Sequence, residues 1–175
     1  SLDRAMDQLD AEWATISFDY EWESRAVLEN CREGLRRLDG WLMQSSHREL
    51  VGTEVPVTHV FDLPSAVVHI SGSIDRLERD NAGNHIVIDY KTGTKLPGKM
   101  NPHVIQVAIY QAALAEGDEN RRPVDVGPAE LVYLMDEPHK RGKGATVKPV
   151  SPVEADPWPS GGDFTAVAGF HDWIR

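Results

Sequence analysis

Hydrophobic positions along the chain change period several times, and each change marks an element. Over residues 2–13, and again over 20–46, apolar side chains recur three and four apart, which predicts two helices, the second long and amphipathic. Val27, Leu28, Cys31, Leu35, Leu38 and Leu42 form the apolar stripe of that second helix. Cys31 lies on the stripe and is expected to be a core thiol rather than a reactive one. Residues 54–60, 67–77 and 85–90 are rich in β-branched side chains and predict three strands. Between the last two lies Asp80-Asn81-Ala82-Gly83-Asn84, a cluster of turn formers in which Gly83 is free to take positive φ. A hairpin is expected there. Asn101-Pro102 reads as a helix start, with Asn as cap and Pro in the first turn. Val104, Ile105, Ala108, Ile109 and Ala112 follow at helical spacing, a stripe expected to pack on the sheet. Residues 121–128 are a polar, Pro-containing loop. Two further strands, 131–135 and 146–150, flank a basic loop, His139-Lys-Arg-Gly-Lys143. Residues 151–162 are dense in Pro, Gly and Ser and read as a linker. The sum is a single α/β domain over residues 1–175, a central mixed sheet flanked by helices.

The hairpin carries the candidate chemistry. One arm reads Gly72-Ser73-Ile74-Asp75-Arg76; the other reads Ile88-Asp89-Tyr90-Lys91-Thr92-Gly93. Side chains alternate along a strand, so Asp89 and Lys91 share a face, roughly 7 Å apart. Pairing symmetric about Ala82 sets Asp75 opposite Asp89, with Cα atoms about 4.5–5.5 Å apart. Two carboxylates directly opposite destabilise a sheet. A divalent cation between them gives one reason to keep them, since Mg²⁺ prefers hard oxygen ligands and retains several waters. The pattern alone fits equally a solvated face on which Lys91 is a counter-ion. On the following helix Gln106 and Tyr110 are four apart and share a face, at an edge suited to a phosphate contact or to orienting the lysine.

Composition narrows the classes. The chain of 175 residues has 18 Lys and Arg against 28 Asp and Glu, a formal net charge of −10. Non-specific affinity for DNA comes mainly from Lys and Arg on phosphates, so this charge argues against an autonomous DNA grip. There is no run of 18 apolar residues and no leader-like start, which points away from a membrane and to the cytoplasm. A single cysteine excludes an internal disulfide and fits a reducing compartment.

Taken in order, Gly72-Ser-Ile-Asp75-Arg76, Ile88-Asp89-Tyr90-Lys91-Thr92-Gly93 and Gln106-xxx-Tyr110 resemble the RecB-type branch of the PD-(D/E)XK nuclease superfamily. The resemblance implies a restriction-endonuclease-like core and a Mg²⁺- or Mn²⁺-dependent deoxyribonuclease. It implies Asp75 and Asp89 as the acidic metal ligands, the carbonyl of Tyr90 as a further ligand, and Lys91 as the lysine that orients or helps deprotonate the attacking water. Gln106 and Tyr110 match the family's helical motif beside the site. Glu54, in Val51-Gly-Thr-Glu54-Val-Pro-Val, resembles the acidic residue that precedes the hairpin in many members, and is a further candidate ligand.

The family also carries a Gly-xxx-His motif upstream, whose His is a metal ligand. Here the first histidine is His47, at the end of a helix. The expectation is therefore a fragment that begins downstream of that motif. Relatives of the RecB, AddB and AdnB kind are C-terminal domains of helicase–nuclease subunits that resect double-strand breaks in recombinational repair. The resemblance implies an ATP-driven helicase in the same chain, a partner subunit, and single-stranded DNA delivered to the site by the motor. It also implies an iron–sulfur cluster in the parent, though not in this segment, whose one cysteine cannot hold it. Residues 171–175 look like the opening of a helix leading there. Two other expectations stand beside this one. One is an inactive nuclease-fold module that grips DNA or a partner; the other is a stand-alone RecB-like exonuclease.

Overall fold

The computed structural model describes residues 1–63, 66–93, 102–117, 121–135 and 144–150. The basic loop at 139–143, the linker at 151–162, residues 171–175 and the cap position Asn101 lie outside them. The chain divides into two units, the first made of Ser1–Ser46, Lys91–Lys95 and Tyr133–Thr146, the second of His47–Tyr90, Leu96–Val132 and Val147–Arg175.

The first unit is built on α1, Leu2–Trp13, and α2, Glu21–Gln44. Their bounds lie within two residues of those read from the apolar period. The helices are joined by an Arg32–Asp10 ion pair at 2.8 Å and by Trp13 Nε1, which donates to Ser24 Oγ at 3.0 Å. The buried line of α2 is not the expected leucine stripe. It runs through Gly34, Arg37 and Trp41, while Val27 is exposed and Leu35, Leu38 and Leu42 are half-buried. The reason is a neighbour that helical periodicity cannot reveal. Gly34 leaves room for Met135, whose Cε would stand 3.0 Å from a Cβ there. Arg37 donates to the carbonyl of Leu134 at 3.1 Å and to Glu33 Oε1 at 3.2 Å. Cys31 is half-buried and lines an apolar groove with Leu9, Leu35 and Leu38, so the expected core thiol is a groove-lining one.

The second unit holds the sheet, with strand order β1-β2-β3-β4-β5. The strands are β1 Glu49–Leu63, β2 Ala66–Arg79, β3 His85–Lys91, β4 Ala129–Tyr133 and β5 Thr146–Val150. Strand β1 starts five residues earlier than alternation suggests. A bulge between Leu50 and Gly52 shifts the register, and Glu54 sits at φ 49°, so the two-residue period breaks where the strand begins. Strands β1 and β2 then pair antiparallel to the far end of both.

The β2–β3 turn forms as its residues predict. Asp80 Oδ1 accepts the N–H groups of Ala82 and Asn84, both at 2.9 Å, and Gly83 takes φ 92°. The hydrogen bond from the Asn84 side chain, with help from the turn's N–H groups, holds the Asp80 carboxyl below its usual range.

Helix α3, Pro102–Glu116, lies between β3 and β4 in the chain. His85 makes a parallel bridge to Val126, so β3 and β4 start side by side in the same direction and the sheet is mixed. The stripe expected on α3 undercounts its burial. Val104, Ala108 and Ala112 are buried as expected, while Ile105 and Ile109 are half-buried. Val107, Gln111 and Leu114 are also buried, so the helix is enclosed on nearly every side. Ala112 packs on Phe61 of β1, beside Val68 and Ile70 of β2. Gln111 is tolerated inside because its Nε2 donates to the carbonyl of Gly127 at 2.8 Å. Among the described residues no helix is long and apolar enough to cross a membrane.

Candidate active site

The centre of the site is the point where β2 and β3 part. The β2–β3 ladder runs from Arg79↔His85 to Arg76↔Ile88. The next step would pair Asp75 with Asp89, as the sequence symmetry predicts. Backbone pairing stops there. Instead, the N–H of Tyr90 donates to Asp75 Oδ2 at 2.8 Å. The carboxylate takes the place of a backbone acceptor, and the two strands form a fork with an acid on each arm.

Asp89 is only 4% exposed, on a strand whose Val87 and Ile88 are fully buried. Burying a carboxylate is costly unless partners or an ion compensate it. Glu54 belongs to the same row by register, because Thr53 pairs with Arg76 and Val55 with Ile74. Its left-handed backbone removes it from the ladder, and its exposed carboxylate accepts a hydrogen bond from Ser73 Oγ at 3.2 Å. Among the described residues no group of three His, Cys, Asp or Glu is placed to hold a metal ion. The three expected acidic ligands thus share one cross-sheet row but do not close a cage. The donor set itself, carboxylates with no histidine or thiolate, suits a hard divalent cation that keeps much of its water.

Lys91 is the last residue of β3, and its carbonyl accepts the N–H of Leu134 at 2.9 Å. Strand alternation gives it the same face as Asp89.

Gln106 and Tyr110 come together on α3, with Gln106 Nε2 3.5 Å from the Tyr110 hydroxyl. The ring of Tyr110 lies over Gly72, where a Cβ would stand 3.1 Å from Cε1 and Cζ and would clash with the hydroxyl. Gly72 and Asp75 point to opposite faces of β2. The helix motif therefore buttresses the strand that carries Asp75 from behind. Gly72→Ala is expected to push the ring off β2 and cost about 1–3 kcal/mol in denaturant unfolding, the usual penalty of overpacking. An unchanged midpoint would show that the ring yields freely.

Periodicity gave no role to the charges behind the fork. Arg76 Nε donates to Glu78 Oε1 at 2.6 Å, and Glu78 is only 1% exposed. Glu78 Oε2 faces Arg48 at 3.6 Å, and Arg48 pairs with Glu130 at 2.6 Å. The available signal was a charged residue two positions from Arg76, on the inward phase of a strand. Burial pushes the Tyr90 phenol up to about 12, against the opposing pull of the Arg76 charge.

Comparison with known proteins adds an independent finding. The family model described as the PD-(D/E)XK nuclease superfamily matches residues 1–163. No curated protein matches the chain. A solved structure, SSO0001, is similar at 18% identity, covering 98% of this chain and 84% of that one, with a TM-score of 0.45.

Proposed function

The chain belongs to the PD-(D/E)XK nuclease superfamily, and we propose that it is a metal-dependent deoxyribonuclease that hydrolyses phosphodiester bonds at the β2–β3 fork. The observation that carries this reading is the fork itself. Asp75 and the buried Asp89 stand on its two arms where backbone pairing gives way.

In this reading Asp75, Asp89 and the carbonyl of Tyr90 hold Mg²⁺ or Mn²⁺, with Glu54 as an outlying carboxylate. The bound ion would polarise the scissile phosphate and lower the pKa of a coordinated water. Asp75 spends one oxygen on the Tyr90 N–H, which orients the carboxylate. Lys91 positions the attacking water and offsets the charge that develops on phosphorus. Gln106 and Tyr110 steady β2 through Gly72.

The net charge of −10 supports a further step, that another module holds the nucleic acid. We place the chain with a helicase motor and a partner subunit that feed it single-stranded DNA in double-strand-break resection. A second reading, an inert nuclease-fold module for DNA or partner binding, draws on the absence of a three-acid cluster among the described residues.

Calorimetric titration with Mn²⁺ separates the two. The nuclease reading expects saturable binding and metal-dependent cutting of a labelled single strand. No heat at millimolar Mn²⁺ favours the inert module. Lys91→Ala is expected to lower the cleavage rate about 10²–10⁴-fold, the range for a lost proton-transfer group, while Mn²⁺ still binds. Full activity in that variant would remove the lysine from the chemistry.

A further inference from the structure

Arg37 is buried on α2, only 3% exposed. Burying a guanidinium is costly unless its donors and its charge are met. Two groups of different kinds meet them. Nε donates to Glu33 Oε1 at 3.2 Å, one turn back on the same helix. Nη1 donates to the backbone carbonyl of Leu134 at 3.1 Å. The first bond pairs the charge and orients the planar group. The second spends that orientation on a distant stretch of backbone.

Leu134 is the first residue past β4, which ends at Tyr133. Its backbone is engaged on both sides. The carbonyl accepts from Arg37, and the N–H donates to the Lys91 carbonyl at 2.9 Å. Lys91 ends β3, three residues beyond the last β2–β3 pair, Arg76↔Ile88. A line of hydrogen bonds therefore runs from Glu33 through Arg37 and Leu134 to Lys91, with every member in the first unit. Gly34 lets α2 approach the same stretch closely, since a Cβ there would stand 3.0 Å from Met135 Cε.

We propose that Arg37, paired with Glu33, is a positioning residue that holds Lys91 through the backbone of Leu134. The proposal rests on the reading of Lys91 as the lysine that positions the attacking water. Its physical basis is where the ladder ends. A reacting group is precise only when the residues around it are themselves locked. The β2 pairing has stopped before Lys91, and the hold on its backbone comes instead from α2 by way of Leu134. The bond from Arg37 is charge-assisted and shielded from water, which makes it a firmer anchor than a neutral one.

Two variants of the chain test it. Arg37→Lys keeps the charge and loses the planar fork that serves Glu33 and Leu134 together. Glu33→Gln keeps the volume and loosens the guanidinium, and it carries the test alone should Arg37→Lys not fold. Hydrogen exchange at the Leu134 amide is expected to quicken roughly tenfold, as for one net hydrogen bond, while the β2–β3 ladder amides keep their wild-type rates. The cleavage rate at saturating Mn²⁺ should fall about 10–10²-fold, as for a displaced reacting group. The Mn²⁺ dissociation constant from calorimetry should not change, because Asp75 and Asp89 are untouched.

That combination supports the proposal. A lower melting temperature with wild-type cleavage at saturating Mn²⁺ overturns it, since a purely structural contact would do only that. A rate loss without faster Leu134 exchange, or one that follows lost Mn²⁺ affinity, overturns it as well. Should the wild-type chain not cut, or should Lys91→Ala cut fully, the reading of Lys91 fails separately. The hold on Lys91 is then decided by exchange alone. Faster Leu134 exchange against an unchanged ladder supports it, and wild-type rates overturn it.

Discussion

Asp89→Ala is expected to abolish Mn²⁺ binding in calorimetry and to reduce single-strand cleavage about a thousandfold or more, since bound metal supplies several kcal/mol of transition-state stabilisation. The size of the effect follows from position. Asp89 is the buried acid of the fork, on β3 between the fully buried Ile88 and the half-buried Tyr90. With its carboxylate gone, Asp75 is left with one oxygen already engaged by the Tyr90 N–H. The exposed Glu54, held by Ser73, is poorly placed to compensate. The measurement pairs calorimetry and cleavage with a thermal melt. If cutting persists, Asp89 is not a ligand. If cutting is lost together with the fold, the variant does not speak to the metal, and Asp89→Asn, which keeps the shape, gives the answer.

The second large effect is on folding. Glu78→Ala is expected to destabilise the protein by about 3–5 kcal/mol, the cost of breaking a buried ion pair by removing one partner. Glu78 stands between Arg76 at 2.6 Å and Arg48 at 3.6 Å. Without it, two poorly solvated guanidinium groups face each other with no negative charge between them. The 3.6 Å contact is beyond hydrogen-bond reach, so its contribution is Coulombic and grows with burial. For a chain of this length such a loss corresponds to a fall in melting temperature on the order of 10 °C. Glu78→Gln, which keeps an acceptor for Arg76 and the side-chain volume, should lose markedly less. Equal losses in both variants would mean that charge is what matters. A loss under about 1 kcal/mol in Glu78→Ala, the level of an exposed pair, would show that water already screens the network.

The charge network and the fork were unequally visible in the linear chain. Pairing symmetric about Ala82 sets the register of Asp75 and Asp89, and the observed ladder has that register. The turn fixes this, because Asp80 and Gly83 close a loop of set length and turn geometry sets a hairpin's register. The end of the ladder was not visible. It depends on a carboxylate outcompeting a backbone carbonyl for the Tyr90 N–H, a choice made between groups fifteen residues apart. Glu54 was legible as an acid near the hairpin, but its φ of 49° and its bond to Ser73 were not. Those depend on a bulged β1 that breaks the alternation. Helix α2 shows the same limit. Its period and length could be read from the leucines, whereas its buried line passes through Gly34 and Arg37 because Leu134 and Met135, a hundred residues away in the chain, approach that side.

What the sequence by itself determined is local. It includes the helical and strand periods, the Asp80–Asn84 turn, the hairpin register and the three motif blocks that resemble a nuclease, because each depends on neighbours within a few residues or on one turn. Tertiary structure alone decided which acid is buried, where the ladder opens, that Tyr110 closes on Gly72, and that Glu78 is fixed between two arginines. Each of these results from long-range packing that excludes water, and burial sets the energy of a charge far more than its identity does.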